Sequence, residues 1–137
     1  MDIQRQGTHS KEELDAIAQE VNRAAEHYYH TPLQLGIDNR TKRFIMERCL
    51  PHIRGPRILE LGYIDGEWTR EILAPDRCIE IVEGAQRHVE HARNAFQSSP
   101  NVVVHHCLFQ EFDTQQKFDT VIAGDMLRYL DDPLEFL

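Results

Sequence analysis

No stretch of this 137-residue chain approaches the roughly 18 consecutive apolar residues that a membrane-spanning helix needs. The opening MDIQRQGTHSKEEL has none of the apolar core of a secretory signal, so a cytoplasmic setting is expected. Cysteine is scarce: Cys49, Cys78 and Cys107 lie far apart, with no C-x-x-C pair. That pattern argues against a disulfide framework or a cysteine zinc site, and suits reduced, mostly buried thiols. Positive charge is short where it would matter. Residues 56–137 hold seven Lys/Arg against fifteen Asp/Glu and carry the whole net charge of −8, while residues 1–55 balance at eight and eight. Phosphate-tracking surfaces need clustered cations. The one local cluster, NRTKR at Asn39 to Arg43, reads as a solvated helix face. Neither nucleic acid nor a membrane is an expected partner.

What is present, 41% hydrophobic and 28% charged residues, fits one soluble globular domain able to bury a core unaided. Ser10 and Glu13 form a capping-box pair. Behind it Leu14, Ile17, Ala18, Val21, Ala25 and Tyr28 recur at helical spacing to about Tyr29, and Thr31-Pro32 is read as the stop. A second helix is expected from about Asn39 to Leu50, with Phe44, Ile45 and Cys49 inward and Pro51 ending it. Gly55-Pro56 is a turn.

From there short apolar runs alternate with helical ones. RILEL reads as a strand, Glu67–Leu73 as a helix, CIEIV as a second strand and Ala85–Phe96 as a helix. VVVHH is a third strand and FDTVIA a fourth, and Pro133 suits the first turn of a further helix. The alternation implies an α/β fold with a doubly wound, Rossmann-like parallel sheet, preceded by two helices. Residues 1–55 would be a helical cap segment and residues 56–137 the α/β core.

Ligands of open parallel sheets bind beyond the carboxyl ends of the strands. The segment Glu60-Leu61-Gly62-Tyr63-Ile64-Asp65-Gly66 stands at such an end. Gly62 allows a sharp turn and a close approach, and Gly66 opens the next helix with its free N–H groups. Strand two ends in Glu83-Gly84, where a carboxylate can accept both hydroxyl hydrogens of a ribose. A dinucleotide fold asks for G-x-G-x-x-G directly after the strand, which Gly62-x-x-x-Gly66 does not supply. An acid two residues before the first glycine instead suits a cofactor with an amino-acid tail, whose ammonium Glu60 can hold.

Glu60 to Gly66, with VEGA at Val82 to Ala85, resembles the motifs of the class I S-adenosylmethionine-dependent methyltransferases. HCLFQEF (His106 to Phe112) and FDTVIAGDMLRYLDDP (Phe118 to Pro133) resemble the family's later regions, nearest its small-molecule branch. The resemblance covers roughly residues 56–137. It implies that Glu60 and Gly62 face the methionine part of S-adenosylmethionine, Glu83 the ribose, and Leu108 and Phe109 the adenine. Ala123 to Asp125 would line the sulfonium side, and Tyr63, Gly66 and Gly84 complete the cofactor set. Asp125 and Tyr129 are the candidates for a general base, and no metal is implied.

Three departures stand beside these matches. Ile64 occupies a position where the family has glycine, Leu108 one where many members have an acid, and Arg128-Tyr129 one where the branch has Glu-His. Tyr28, Tyr29 and His30 either close over the cofactor tail or form a half-buried aromatic helix end. His88-x-x-His91 reads as a wet helix face rather than a metal pair. His105 and His106 alternate across a strand and cannot chelate together.

Three further strands follow the fourth in the resembled family. This sequence is therefore expected to be a fragment or a natural half, and strand four to offer an edge for dimerisation or association. The leading reading is methyl transfer to a small-molecule acceptor. Its rivals are a non-catalytic, truncated methyltransferase-like module and, less favoured by the glycine spacing, a dinucleotide-dependent oxidoreductase.

Overall fold

A computed structural model describes residues 9–27, 32–63 and 65–124, with the backbone alone over 32–39. Helix α1 spans Lys11–His27 and α2 spans Pro32–Cys49, followed by a 3-10 turn at Leu50–His52. Strand β1 (Arg57–Leu61), helix α3 (Glu67–Ile72), strand β2 (Cys78–Glu83), helix α4 (Gln86–Ala95), strand β3 (Val102–His106) and strand β4 (Thr120–Ala123) complete the order. The strands form one parallel sheet in the order β3-β2-β1-β4. The expected α/β sheet is therefore present. Tyr28, Tyr29, His30, Ile64, Arg128 and Pro133 lie outside the described residues.

The central strands β1 and β2 are buried on both faces, as their near-continuous apolar runs require, while β3 is half-buried to exposed. On one face Ile58, Ile79, Ile81 and Ile122 pack against Ile72 of α3 and Ala92 and Phe96 beyond it. On the other, Leu59, Leu61 and Val82 meet Phe112 and Phe118 from the segment joining β3 to β4. Each such side chain, fully buried, contributes roughly 1.5–3 kcal/mol. The amino ends of β1 and β4 are tied by Asp119, whose Oδ2 accepts the Arg57 N–H at 2.9 Å. Thr120 adds a hydroxyl that accepts from the Arg54 N–H and donates to the Arg54 carbonyl.

Gly55 has φ +70, and a Cβ there would stand 2.2 Å from Asp119 Cγ. Gly55→Ala is expected to lose about 2 kcal/mol or more, from left-handed strain plus displacement of Asp119. Urea denaturation of the variant against the parent chain measures it.

The N-terminal helices correct the sequence reading in part. The capping box is formed: the Ser10 N–H donates to Glu13 Oε2 at 2.7 Å, and the Glu13 N–H to Ser10 Oγ at 3.2 Å. Hydrogen bonding from the Ser10 backbone N–H and then its side chain holds the Glu13 carboxyl below its usual range. Helix α2, however, begins at Pro32, seven residues before the expected start. Proline in a first helical turn loses no hydrogen bond, so this one opens a helix rather than closing the previous one. The inward face also differs. Phe44 and Ile45 are 56% and 48% exposed and Cys49 is exposed, whereas Met46 is buried. The inward line runs through half-buried Lys42, buried Met46 and half-buried Leu50, one helical turn apart. Lys42 pairs with Asp65 at 2.5 Å, while Arg40, Thr41 and Arg43 of the NRTKR run are exposed.

The thiols are less buried than expected. Cys49 and Cys78 are exposed, and Cys107 is half-buried. Cys78 is the first residue of β2 and Cys49 lies on the outward side of α2, so neither reaches a core layer. Burial, reinforced by Glu111, pushes the Cys107 thiol up.

Candidate functional site

The chain leaves β1 at Gly62, which has φ +84 and donates its N–H to the Val82 carbonyl at 2.9 Å. A side chain at Gly62 would stand 3.7 Å from Phe109 Cζ, so the Phe109 ring lies over this turn. Gly84 plays the matching part after β2: a Cβ there would come 2.9 Å from Leu108 Cδ2 and 3.5 Å from Val21 Cγ1 of α1. Gly62 with Phe109, and Gly84 with Leu108, thus stand together at the carboxyl end of the sheet. Ala123 stands opposite Leu61 at the end of β4. Asp125 and Tyr129 lie outside the described residues.

Glu60, the penultimate residue of β1, is 1% exposed. Its Oε2 accepts the Thr69 hydroxyl at 2.5 Å, while its Oε1 is buried with no partner among the described residues. Burial pushes the carboxyl up to about 8; Thr69 opposes this, and the nearby Asp65 and Glu83 reinforce it. At neutral pH the group is mostly protonated. Thr69 is fully buried on the α3 face that also carries Ile72. A lone hydroxyl on an otherwise apolar helix face was the signal that could have found it.

Glu83 is equally enclosed but opposite in character. Its Oε2 accepts the Tyr63 N–H at 2.9 Å and its Oε1 the Ala85 N–H at 2.8 Å. His88 Nδ1 stands 3.5 Å from Oε2. Burial alone would raise this carboxyl; the bonds from His88, Ala85 and Tyr63 outweigh it and leave the group lowered. Two carboxyls at the ends of neighbouring strands are thus driven apart, one toward neutrality and one toward charge. Each Glu83 oxygen retains further acceptor capacity.

Other assignments change. The Tyr63 side chain belongs to the core: its ring lies edge-on to Phe96 at 6.2 Å, and its hydroxyl meets His91 Nδ1 at 3.0 Å. Its backbone N–H borders the turn at Glu83, and its ring backs the turn at Gly66. Gly66, at φ +74, is required because a Cβ would collide with the Tyr63 ring. The first N–H of α3 is not free either, since Glu67 donates to Asp65 Oδ1 at 3.2 Å. His88 is 6% exposed and turned toward Glu83, so it does not lie on a wet helix face; His91 is exposed, as expected, with its Nδ1 at the Tyr63 hydroxyl. Among the described residues no three His, Cys, Asp or Glu side chains gather as a metal site.

Helix α1 reaches this end of the sheet. Asn22 Oδ1 accepts the Gln86 N–H at 2.9 Å and so caps α4, whose own N-cap residue Ala85 has no capping side chain. A contact spanning 64 residues leaves no local pattern to read.

A family model described as nodulation protein S (NodS) matches residues 35–136. The chain belongs to the NodS family. Among solved structures it is similar to the N-methyltransferase NodS from Bradyrhizobium japonicum WM9 in complex with S-adenosylhomocysteine, at 18% identity and a TM-score of 0.66. That match covers 85% of this chain and 62% of the other. It is similar too to the N-terminal domain of EvdMO1 with S-adenosylhomocysteine bound: 19% identity, TM-score 0.57, 92% of this chain and 58% of the other. Coclaurine N-methyltransferase, bound to N-methylheliamine and S-adenosylhomocysteine, matches at 13% identity and a TM-score of 0.50, over 84% and 42%. At these identities the likeness is one of fold, and it is the Rossmann-like methyltransferase fold. The chain spans less than two thirds of the length of each. No curated protein sequence is similar enough to match.

Proposed function

We propose that this chain is the cofactor-binding part of an S-adenosylmethionine-dependent methyltransferase acting on a small-molecule acceptor. The observation that carries the reading is the orphaned Glu60 Oε1, buried beside a glycine turn at the carboxyl end of β1. An unpaired buried acceptor is costly, and the ammonium of an amino-acid tail would give it a partner. Gly62 leaves room for that tail, Glu83 can accept from ribose hydroxyls, and Leu108 with Phe109 offers an apolar wall for adenine. Bound there, the cofactor would supply an electrophilic methyl group on its sulfonium. The part of the protein would be to hold donor and acceptor in line, with Asp125 and Tyr129 as candidates for moving a proton. The small-molecule acceptor is supported by the family and by the N-methyltransferase neighbours.

The remaining parts of this reading follow from the same contacts. Residues 1–55 would act as a helical cap on the core of residues 56–137, supported by the Asn22–Gln86 and Lys42–Asp65 contacts. No helix among the described residues is long and apolar enough to cross a membrane. A cytoplasmic location suits the free thiols at Cys49, Cys78 and Cys107.

Calorimetric titration with S-adenosylmethionine, S-adenosylhomocysteine and NAD tests the reading. Saturable binding of the two adenosyl compounds and none of NAD is expected. The reverse order would mark a dinucleotide enzyme, and no binding at all a non-catalytic module.

Association is the second proposal. Among the described residues β4 pairs with β1 and with no other strand. Phe118 to Ala123 holds no proline or lysine that would discourage edge pairing. Light scattering coupled to size exclusion, at micromolar concentration, is expected to give about twice the 16.0 kDa chain mass. A clean monomer would show that the edge is covered.

A further inference from the structure

Trp68 is the chain's single tryptophan and the second residue of α3. It is half-buried against the cluster that contains Ile58, Ile72 and Ile122. Its Nε1 lies 3.6 Å from where a Cβ on Gly124 would stand. The ring therefore reaches from the helix after β1 to the residue that follows β4. These strands are neighbours, yet the chain passes outward through β2 and β3 before returning to β4. The winding reverses between them, and open parallel sheets bind ligands in the crevice at that reversal. An indole N–H can only donate, and among the described residues no acceptor meets this one.

Resting on the adenosyl-cofactor reading above, we propose that Trp68 is a binding residue whose indole N–H donates to the carboxylate of the cofactor's amino-acid tail. Such a tail carries its ammonium and carboxylate on one carbon, so two complementary protein groups must stand close together. Glu60, with its orphaned Oε1, is bonded to Thr69, the residue next to Trp68. Glu60 pairs in register with Ile122 of β4, and Trp68 packs on the sheet face that Ile122 occupies. An acceptor for the ammonium and a donor for the carboxylate thus stand on one side of the β1–β4 boundary. Gly124 leaves the indole N–H uncovered, since a side chain there would lie in contact with it.

The test pairs S-adenosylhomocysteine with its decarboxylated counterpart, which keeps the ammonium and lacks the carboxylate. Trp68→Phe preserves a packed ring and removes the donor. It is expected to weaken S-adenosylhomocysteine about tenfold, the scale of a hydrogen bond to a charged group, and to leave the decarboxylated ligand nearly unchanged. In the unmodified chain the fluorescence, which reports this one residue, should shift as S-adenosylhomocysteine saturates. Equal losses for both ligands, or a loss for neither, overturn the proposal. So does calorimetric binding that leaves the Trp68 emission unmoved. Binding of neither ligand by the unmodified chain overturns the adenosyl-cofactor reading itself, and this assignment with it.

Discussion

Glu60→Gln should weaken S-adenosylmethionine binding by about 1.5–3 kcal/mol, the worth of a hydrogen bond between charged groups, while the chain stays folded. Glutamine keeps the size and can still accept from Thr69, but it cannot become the anion that an ammonium ligand favours. The same residue makes binding pH-dependent. With its carboxyl at about 8, the ligand-free protein carries a proton on Glu60 at pH 7. A cation at Oε1 favours the ionised form, so binding releases that proton and affinity rises with pH toward 8, by up to tenfold per unit. Stability runs the other way. The folded value lies above the ordinary 4.5, so the native state holds a proton that the unfolded chain gives up. Stability on this account falls as pH rises from about 4.5 to 8, by up to about 1.4 kcal/mol per unit. Glu60→Gln should flatten both slopes. Calorimetry in buffers of different ionisation heat counts the released proton, and denaturation between pH 5 and 8 gives the stability slope. A wild-type chain that binds with no proton release would remove Glu60 from the ammonium site.

Glu83→Ala is expected to cost roughly 3–5 kcal/mol of stability, because the buried N–H groups of Tyr63 and Ala85 both lose their acceptor. Loss of ribose binding would be seen only in whatever fraction still folds, so Glu83→Gln is the better probe of the ligand. It keeps an acceptor oxygen and should weaken S-adenosylmethionine by about 1–3 kcal/mol with a smaller loss of stability. Here the folded carboxyl is lowered below 4.5. Its contribution is therefore fully present above that value and fades as pH falls through the folded one. Urea denaturation at pH 7 and at pH 3 checks both statements. A Glu83→Ala chain as stable as the parent would mean that water replaces the carboxylate.

The strands and the two helices between them were legible because their periodicity is local. RILEL, CIEIV and VVVHH are short, β-prone and bounded by turn residues, and each appears where it was read. The capping box at Ser10 is equally local, since both of its partners lie within one turn. Helix α2 was harder. Phe44, Ile45 and Met46 are consecutive apolar residues, and which one faces inward depends on how the helix is rotated against its neighbours. Lys42 meeting Asp65, 23 residues on, is part of that rotation, and no sequence window contains both.

The residues of the site divide in the same way. The sequence by itself determined the positions of Gly62, Gly84, Glu60 and Glu83, because strand ends followed by glycine place them at the ligand edge of a parallel sheet. Only the tertiary structure decided their states. Glu60 and Glu83 are the same residue type near the carboxyl ends of neighbouring strands, yet Glu60 meets one hydroxyl and Glu83 meets two backbone N–H groups and His88. Desolvation and hydrogen bonding act over a few ångströms of space, and the groups that supply them come from other turns and helices. Chain order cannot say whether a buried carboxyl is left neutral with an unpaired oxygen or charged with both oxygens bonded; the packing of α3 and α4 over the sheet does.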